Sequence, residues 1–461
     1  MSYSFRRPLT CIEWVILRGN ARRTRSIDLG WQTPKTVDFE TTKSLLKPPT
    51  SESLFPNLRR LAFYYASEES ALLLLPSPFL ISLDITIVDR YPRLLCISLE
   101  SFAKTSPKLK RLSIFALPRV TDLSMSQIDS HFMCQWQNLR TASCPQLSLD
   151  MDTLVHLSRT SALTELAFTL SDTFPEKITP SDSPLSFPHI LRLTLHCQSL
   201  ASASRLFSHI RLPVITCLVI TFSNCLSERD LSFFVRLPTS NVGHTNQRLC
   251  LVQFPSRRSA DLSEDPHTVL GFEHLQPCMA FNNLCDIQFS MKCKVNLVDS
   301  ELLILASAWP RLTGFCVSRV WGSLGGITPN GLLQLLRRCP SLHSVELAMD
   351  VRGYTECPPS STSLGLSAID VLDSHIEAES VPAVSAFFSG IFGSHLHLLM
   401  KAWTYMSDER VPDSDRAVYK ERWTEVCRRV QDAIGPARRL TNNGVRVICR
   451  TYYNTHLVLD V

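Results

Sequence analysis

A short phrase recurs along the chain: a bulky or small residue, often Pro, then L-x-x-L-x-[hydrophobic]. It reads FPNLRRLAF at 55–63, SPFLISLDI at 77–85, SPKLKRLSI at 106–114, WQNLRTASC at 136–144 and SALTELAF at 161–168. It continues as FPHILRLTL at 187–195, LPVITCLVI at 212–220, FNNLCDIQF at 281–289, WPRLTGFCV at 309–317 and CPSLHSVEL at 339–347. Its first Leu or Ile falls at 58, 80, 109, 139, 163, 190, 215, 284, 312 and 342, so all steps but one lie between 22 and 30 residues. That spacing fits a leucine-rich repeat and not a helical repeat of about 34 residues. The one step of 69 residues has room for a degenerate copy, and RLCLVQF at 248–254 is the local candidate, with 261–267 as a polar insertion.

The last two hydrophobic positions of the phrase are two apart. In a strand they face the core together, while the residue between them faces the other way. Stretches of helical spacing follow, such as 300–308 and 331–338, where Leu332, Leu335 and Leu336 share one face. Thr328, and Asp299 or Ser300, are expected to cap these helices, with Pro329 in an opening turn. LLCISL at 94–99 also fits the phrase, but Leu95, Leu99 and Phe102 recur at near-helical intervals and are read as helix.

Strand and helix therefore alternate. The expected fold is an α/β leucine-rich-repeat solenoid, a horseshoe of about 11 to 13 units with parallel strands on the concave face and helices on the convex face. The solenoid is expected to occupy 1–403, with its irregular copy near 221–283. A helical segment at 14–21 and a half-phrase at 25–29 begin it, 353–364 reads as a loop, and SHLHLLMKAW is a weak last phrase within 381–403. The remainder, 404–461, holds a charged amphipathic helix at 413–434 whose Tyr419, Trp423, Val426 and Val430 are expected to pack on the last repeat. The segment 435–461 receives no assignment.

Composition narrows the function. Hydrophobic residues make up 44% and charged residues 19%, which excludes a mostly disordered chain. A net charge of +5 is too mild for a dedicated nucleic-acid binder, so no nucleic-acid partner is expected. The 16 cysteines form no C-x-x-C pair and point to free thiols in a reducing compartment, with Cys96, Cys217 and Cys316 in the core. The N-terminus lacks the apolar run of a secretory signal, and no stretch approaches the roughly 20 apolar residues of a membrane span. An intracellular monomer is expected.

Phosphate-loop, dinucleotide, zinc-protease and serine-hydrolase motifs are absent. Gly322 to Gly326 reads as a loop. Cys339 and His343 lack the further ligands of a metal site, and His196 and Cys197, adjacent on a strand, face opposite sides. No catalytic residue, cofactor or metal is expected, so the chain reads as a binding protein rather than an enzyme. The candidate contact residues lie on the concave strands: Tyr64, Tyr65, Asp84, Phe115, Thr169, Arg192, His196, Phe222, Gln288, Arg319 and Glu346. Aromatic residues and Arg are the types that anchor protein interfaces. Basic clusters at 22–25, 108–111, 257–258, 337–338 and 428–429 read as solvated surface, and would favour an acidic protein partner if several aligned along the stack.

The order of SFRRPLT, FPNLRRL, SPKLKRL, AWPRLTGF, ITPNGLLQLLRRCPSLHSVEL and an IF…AW segment resembles the repeat portion of fungal, especially basidiomycete, F-box proteins over about residues 5–430. That resemblance implies a substrate receptor of a cullin-type ubiquitin ligase, whose F-box docks on an adaptor while the repeats hold the target. An F-box is a helical module placed before the repeats, and residues 1–30 are too few to hold one. The ligase adaptor is a partner only if an F-box lies upstream. The alternative is a leucine-rich-repeat scaffold with no ligase role.

Overall fold

The computed structural model describes residues 2–3, 9–29, 36–37, 54–65, 77–88, 93–117, 128–171, 184–224, 226–239, 241–242, 245–253, 268–317, 326–355, 365–372, 374–392, 399–401 and 413–434. They fall into two compact units, Met1–Asn224 with Arg236–Asn246, and Cys225–Val235 with Gln247–Val461.

In the first unit, parallel strands pair in chain order: Ser26–Leu29, Arg60–Tyr65, Ser82–Ile87, Arg111–Ala116, Thr141–Ser148, Glu165–Thr169, Arg192–Cys197 and Cys217–Phe222. In the second unit the order is Arg248–Gln253, Asp286–Ser290, Gly314–Val317, Ser344–Leu347, Ala368–Asp370 and Leu399–Lys401. Register puts Leu61, Leu83, Leu112, Ala142, Leu166, Leu193 and Leu218 in one row, and every one of them is buried. Leu249, Ile287, Phe315, Val345 and Ile369 form the corresponding buried row of the second unit. Each unit is thus a leucine-rich-repeat solenoid of the α/β class, one turn of chain per strand.

The punctuation before each phrase is a tight turn. The amide of the first Leu donates to the carbonyl three residues earlier, as in Leu58 to Phe55, Leu80 to Ser77, Leu109 to Ser106, Ile190 to Phe187, Leu312 to Trp309 and Leu342 to Cys339. Pro56, Pro78, Pro107, Pro188, Pro310 and Pro340 stand second in these turns, where a φ fixed near −65° is already correct. Immediately after each turn, one carbonyl accepts two amides from the next repeat: Arg25 from Arg59 and Arg60, Arg59 from Ile81 and Ser82, Ile81 from Lys110 and Arg111. Cys285 and Thr313 do the same in the second unit.

The first turn residue also stitches neighbouring repeats. The Ser77 hydroxyl donates to the Leu58 carbonyl at 2.9 Å, Ser106 to Ser77 at 3.0 Å, and the Trp136 indole N–H to Ser106 at 3.0 Å. Trp309 occupies the same position and is equally buried, yet among the described residues its indole N–H has no partner. Trp136→Phe is therefore expected to cost about 1 kcal/mol more than Trp309→Phe, since only the first loses a hydrogen bond. Urea unfolding of the two variants measures the difference, and equal losses would contradict the assignment.

Helices lie against the buried side of the strands. Leu154 of the helix Met151–Arg159 and Leu206 of Leu200–His209 line, with Leu166, Phe168 and Leu193, a void of about 10 Å³ that has room for no more than one water. Caps tie consecutive repeats together. Asp150 caps its helix through the Thr153 amide at 2.7 Å and also accepts from the Ser130 hydroxyl at 2.7 Å. Thr328 caps Pro329–Arg338, with the proline in the opening turn. Asp299 departs from expectation: it is the first residue of the helix Asp299–Ala308, and Val298 precedes it as the N-cap. Its carboxylate instead accepts from the Thr328 amide at 2.8 Å and hydroxyl at 2.6 Å, because holding the next repeat's cap uses both oxygens.

The segment 94–99 lies in the helix Arg93–Thr105, as its periodicity requires, and Leu399–Lys401 is a strand. The strand Ala368–Asp370 was not expected. Its phrase, LSAIDV, carries the full pattern in Leu366, Ile369 and Val371, all three buried, and with it the strands exceed the expected 11 to 13 units. Short parallel ladders add to each unit, joining Asn241–Val242, Ile210–Leu212 and Leu185–Ser186 in the first and Val269–Gly271 with Lys294–Asn296 in the second. The helix Cys11–Ala21 begins the first unit with a Thr10–Glu13 capping box and buries Trp14 and Ala21. Asp413–Ile434 closes the second unit by burying Trp423, Val426 and Val430. No described helix is long and apolar enough to cross a membrane.

Candidate functional site

Once the alternate strand residues are committed to the core, the other set forms an open face. In the first unit the register aligns Asp84, Ser113, Ser143, Ala167 and Thr194 in one half-buried row with Thr86, Phe115, Thr169 and His196 near its end, and the open face stops at Cys217–Phe222, where Val219 and Thr221 are buried as well. Phe115 and His196 are half-buried, and His196 Nδ1 shares a short hydrogen bond with the Thr221 hydroxyl. Cys197, the next residue, is in the core. The Thr169 hydroxyl donates to the Pro145 carbonyl at 2.6 Å. Arg192 is exposed and meets Glu165 at 3.1 Å.

Two expectations change. Phe222, expected on the open face, is 2% exposed in the core, because it lies two residues beyond buried Ile220 and pairs with Cys197. A second candidate pair, Tyr64 and Tyr65, is placed by backbone register alone, Tyr64 opposite Thr86 and Tyr65 opposite Ile87, so the two cannot both belong to the row of Thr86. Arg319, the segment 254–267 and the glycine cluster at 322–325 lie outside the described residues.

In the second unit, Gln288, Cys316 and Glu346 are neighbours in register. The Gln288 amide donates to the Ser290 hydroxyl at 3.0 Å, and the Cys316 thiol to the Glu346 carboxylate at 3.2 Å. Asp286 pairs with Arg248 at 2.9 Å. Burial pushes its carboxyl above the usual range, helped by the nearby Glu346 and opposed by Arg248. Among the described residues no group of three acidic, His or Cys side chains is placed to hold a metal. Cys339 is a core thiol that donates to the Trp309 carbonyl, and burial pushes it up to about 11.

A second feature lies where the strands of the first unit begin. The residues just before and just after each buried first Leu must turn outward, and in four successive phrases they build a groove. Arg59, Phe79, Ile81, Lys108, Lys110 and Asn138 line about 410 Å³ of open volume. Phe79 is 47% exposed, and the Lys108 ammonium sits over its ring at 4.8 Å. Beside the groove, Asp84 is paired with Arg60 at 3.8 Å. Burial raises its carboxyl pKa against the pull of Arg60, the Ser82 hydroxyl and Arg111. Among the described residues Arg59, Lys108, Lys110 and Arg140 take part in no ion pair. Of these, only the cluster at 108–111 stood out in the sequence. The usable signal is the residue directly after the first Leu, which reads Arg59, Ile81, Lys110, Arg140 and then turns neutral at Thr164, Leu191 and Thr216.

No protein-family profile matches the chain, and no curated protein is significantly similar to it in sequence. Among solved structures, an internalin of Listeria monocytogenes aligns with a TM-score of 0.31 and 12% identity, over 72% of this chain and 93% of that one.

Proposed function

We propose that the chain is a protein-binding leucine-rich-repeat module that grips its partner on the open strand face, and that it serves as the substrate-recognition part of an F-box-type ubiquitin ligase receptor. The observation that carries the binding reading is the register. Within each unit it consumes one strand face in the core and leaves half-buried residues on the other, Phe115 and His196 beside exposed Arg192 in the first and Gln288 and Glu346 in the second. Such residues contribute most to an interface when a partner completes their burial. The receptor reading rests on the order of the segments that resemble F-box proteins. On this reading the protein is an intracellular monomer without cofactor or catalytic activity.

The test is proximity labelling to identify the bound protein, followed by affinity measurement with Phe115→Ala and His196→Ala. Each is expected to weaken binding about tenfold or more, as truncation of an interface anchor does, with Phe115→Ala read at a temperature where it is fully folded and His196→Ala also losing some stability because the buried Thr221 hydroxyl loses its partner. Unaltered affinity in both variants would remove the open face from the interface. Capture of the ligase adaptor by the full-length gene product separates receptor from scaffold, and its failure leaves the scaffold reading.

A further inference from the structure

We infer that the groove at the strand-entrance end of the first unit docks a short, extended acidic peptide segment of a partner protein, with carboxylates on Arg59, Lys108 and Lys110 and an apolar side chain against Phe79 and Ile81. This rests on the protein-binding reading and names the chemistry of one part of the partner.

Three observations fix the occupant. The charges are of one sign: Arg59, Lys108 and Lys110 line the groove and Arg140 follows at the same phrase position in the next repeat. Asp84, three residues beyond Ile81 in the chain, is committed to Arg60 and lies under the influence of Arg111, and among the described residues none of these four cations takes part in an ion pair. The groove is also not purely ionic, since Phe79 and Ile81 line it together with the cations. A nucleic-acid backbone would use the charge but gain little from Ile81. An acidic peptide carrying one leucine or phenylalanine uses both.

The length follows from repeat geometry. Residues 59 to 138 belong to four adjacent turns, and strands about 4.8 Å apart make the groove roughly 14 Å long. At about 3.3 Å per extended residue, four or five peptide residues fill it. The peptide crosses the strands rather than adding to the sheet, because the strand-starting amides are already engaged by the carbonyls of Arg25, Arg59 and Ile81.

The experiment selects random peptides against the full chain and measures a labelled peptide of alternating glutamate and leucine by fluorescence anisotropy. Enrichment of acidic peptides is expected, with binding weakened at least tenfold by the double variant Lys108→Glu, Lys110→Glu, as like charge replaces opposite charge. Phe79→Ala should weaken it several-fold at constant charge, and the affinity should fall as salt rises. All three residues are surface residues, and an unchanged melting temperature shows that folding is intact. Enriched peptides with no acidic bias, or indifferent to the charge reversal, would overturn this inference and leave the protein-binding reading standing. No enrichment of any peptide would count against both. Tighter binding of a single-stranded oligonucleotide, lost on the same reversal and unaffected by Phe79→Ala, would reassign the groove to nucleic acid.

Discussion

Trp423→Ala is expected to destabilise the C-terminal unit by about 3–5 kcal/mol, the range for truncating a large buried aromatic residue. Trp423 is 1% exposed, its ring lies 6.2 Å from Phe388, and its indole N–H donates to the Ser374 carbonyl at 2.8 Å. The same helix contributes Val426 and Val430, both fully buried, and Arg422 donates to the Ile376 carbonyl at 2.7 Å. Tyr419 stacks on His375 at 4.6 Å. The helix Asp413–Ile434 thus packs on Val381–Phe392, where Trp423 meets the fully buried Phe388. A repeat array has no closed core of its own and depends on such an end piece. Trp423→Phe keeps most of the apolar area and should lose about 1 kcal/mol through the hydrogen bond. Urea unfolding gives the stabilities, and amide exchange in Val381–Phe392 shows whether the loss begins there. A loss under about 1 kcal/mol for the alanine variant would mean that the helix does not act as a cap.

Asn246→Leu is expected to stabilise the protein by about 1–2 kcal/mol, the cost of leaving a buried polar group unsatisfied less some crowding. Asn246 stands two residues before Arg248, as Leu284 stands two before Asp286, and those two strands pair in register. It therefore occupies the place of the first Leu in the degenerate copy. It is fully buried, and among the described residues neither amide atom has a hydrogen-bond partner. Leucine is larger, so Asn246→Val is the companion variant. Thermal melting should rise by several degrees for at least one of the two. Destabilisation by both would show that the amide is bonded in solution.

The recurrent spacing made the repeat, the strand parity and the following helices legible before any coordinates. Each rests on residues close in the chain: two hydrophobic residues two apart, and helical intervals at Leu332, Leu335 and Leu336. Phe222 was expected on the open face although its parity with buried Ile220 puts it inside. Ala368–Asp370 was legible too, since Leu366, Ile369 and Val371 repeat the phrase 24 residues after Leu342, but no strand was expected there; its neighbour Ser344–Leu347 supplies the pairing.

What the sequence by itself determined is which residues of each repeat turn inward, because alternation along a strand is a property of the local backbone. The tertiary structure alone decided which residues of different repeats meet. It bonded Trp136 and left the Trp309 indole N–H without a described partner, turned Asp299 from a cap into the support of Thr328, and gathered Arg59, Lys108 and Lys110 around Phe79. The physical reason is distance along the chain: side chains a strand spacing apart in space are more than twenty residues apart in sequence. Their encounters depend on register, which no single repeat contains.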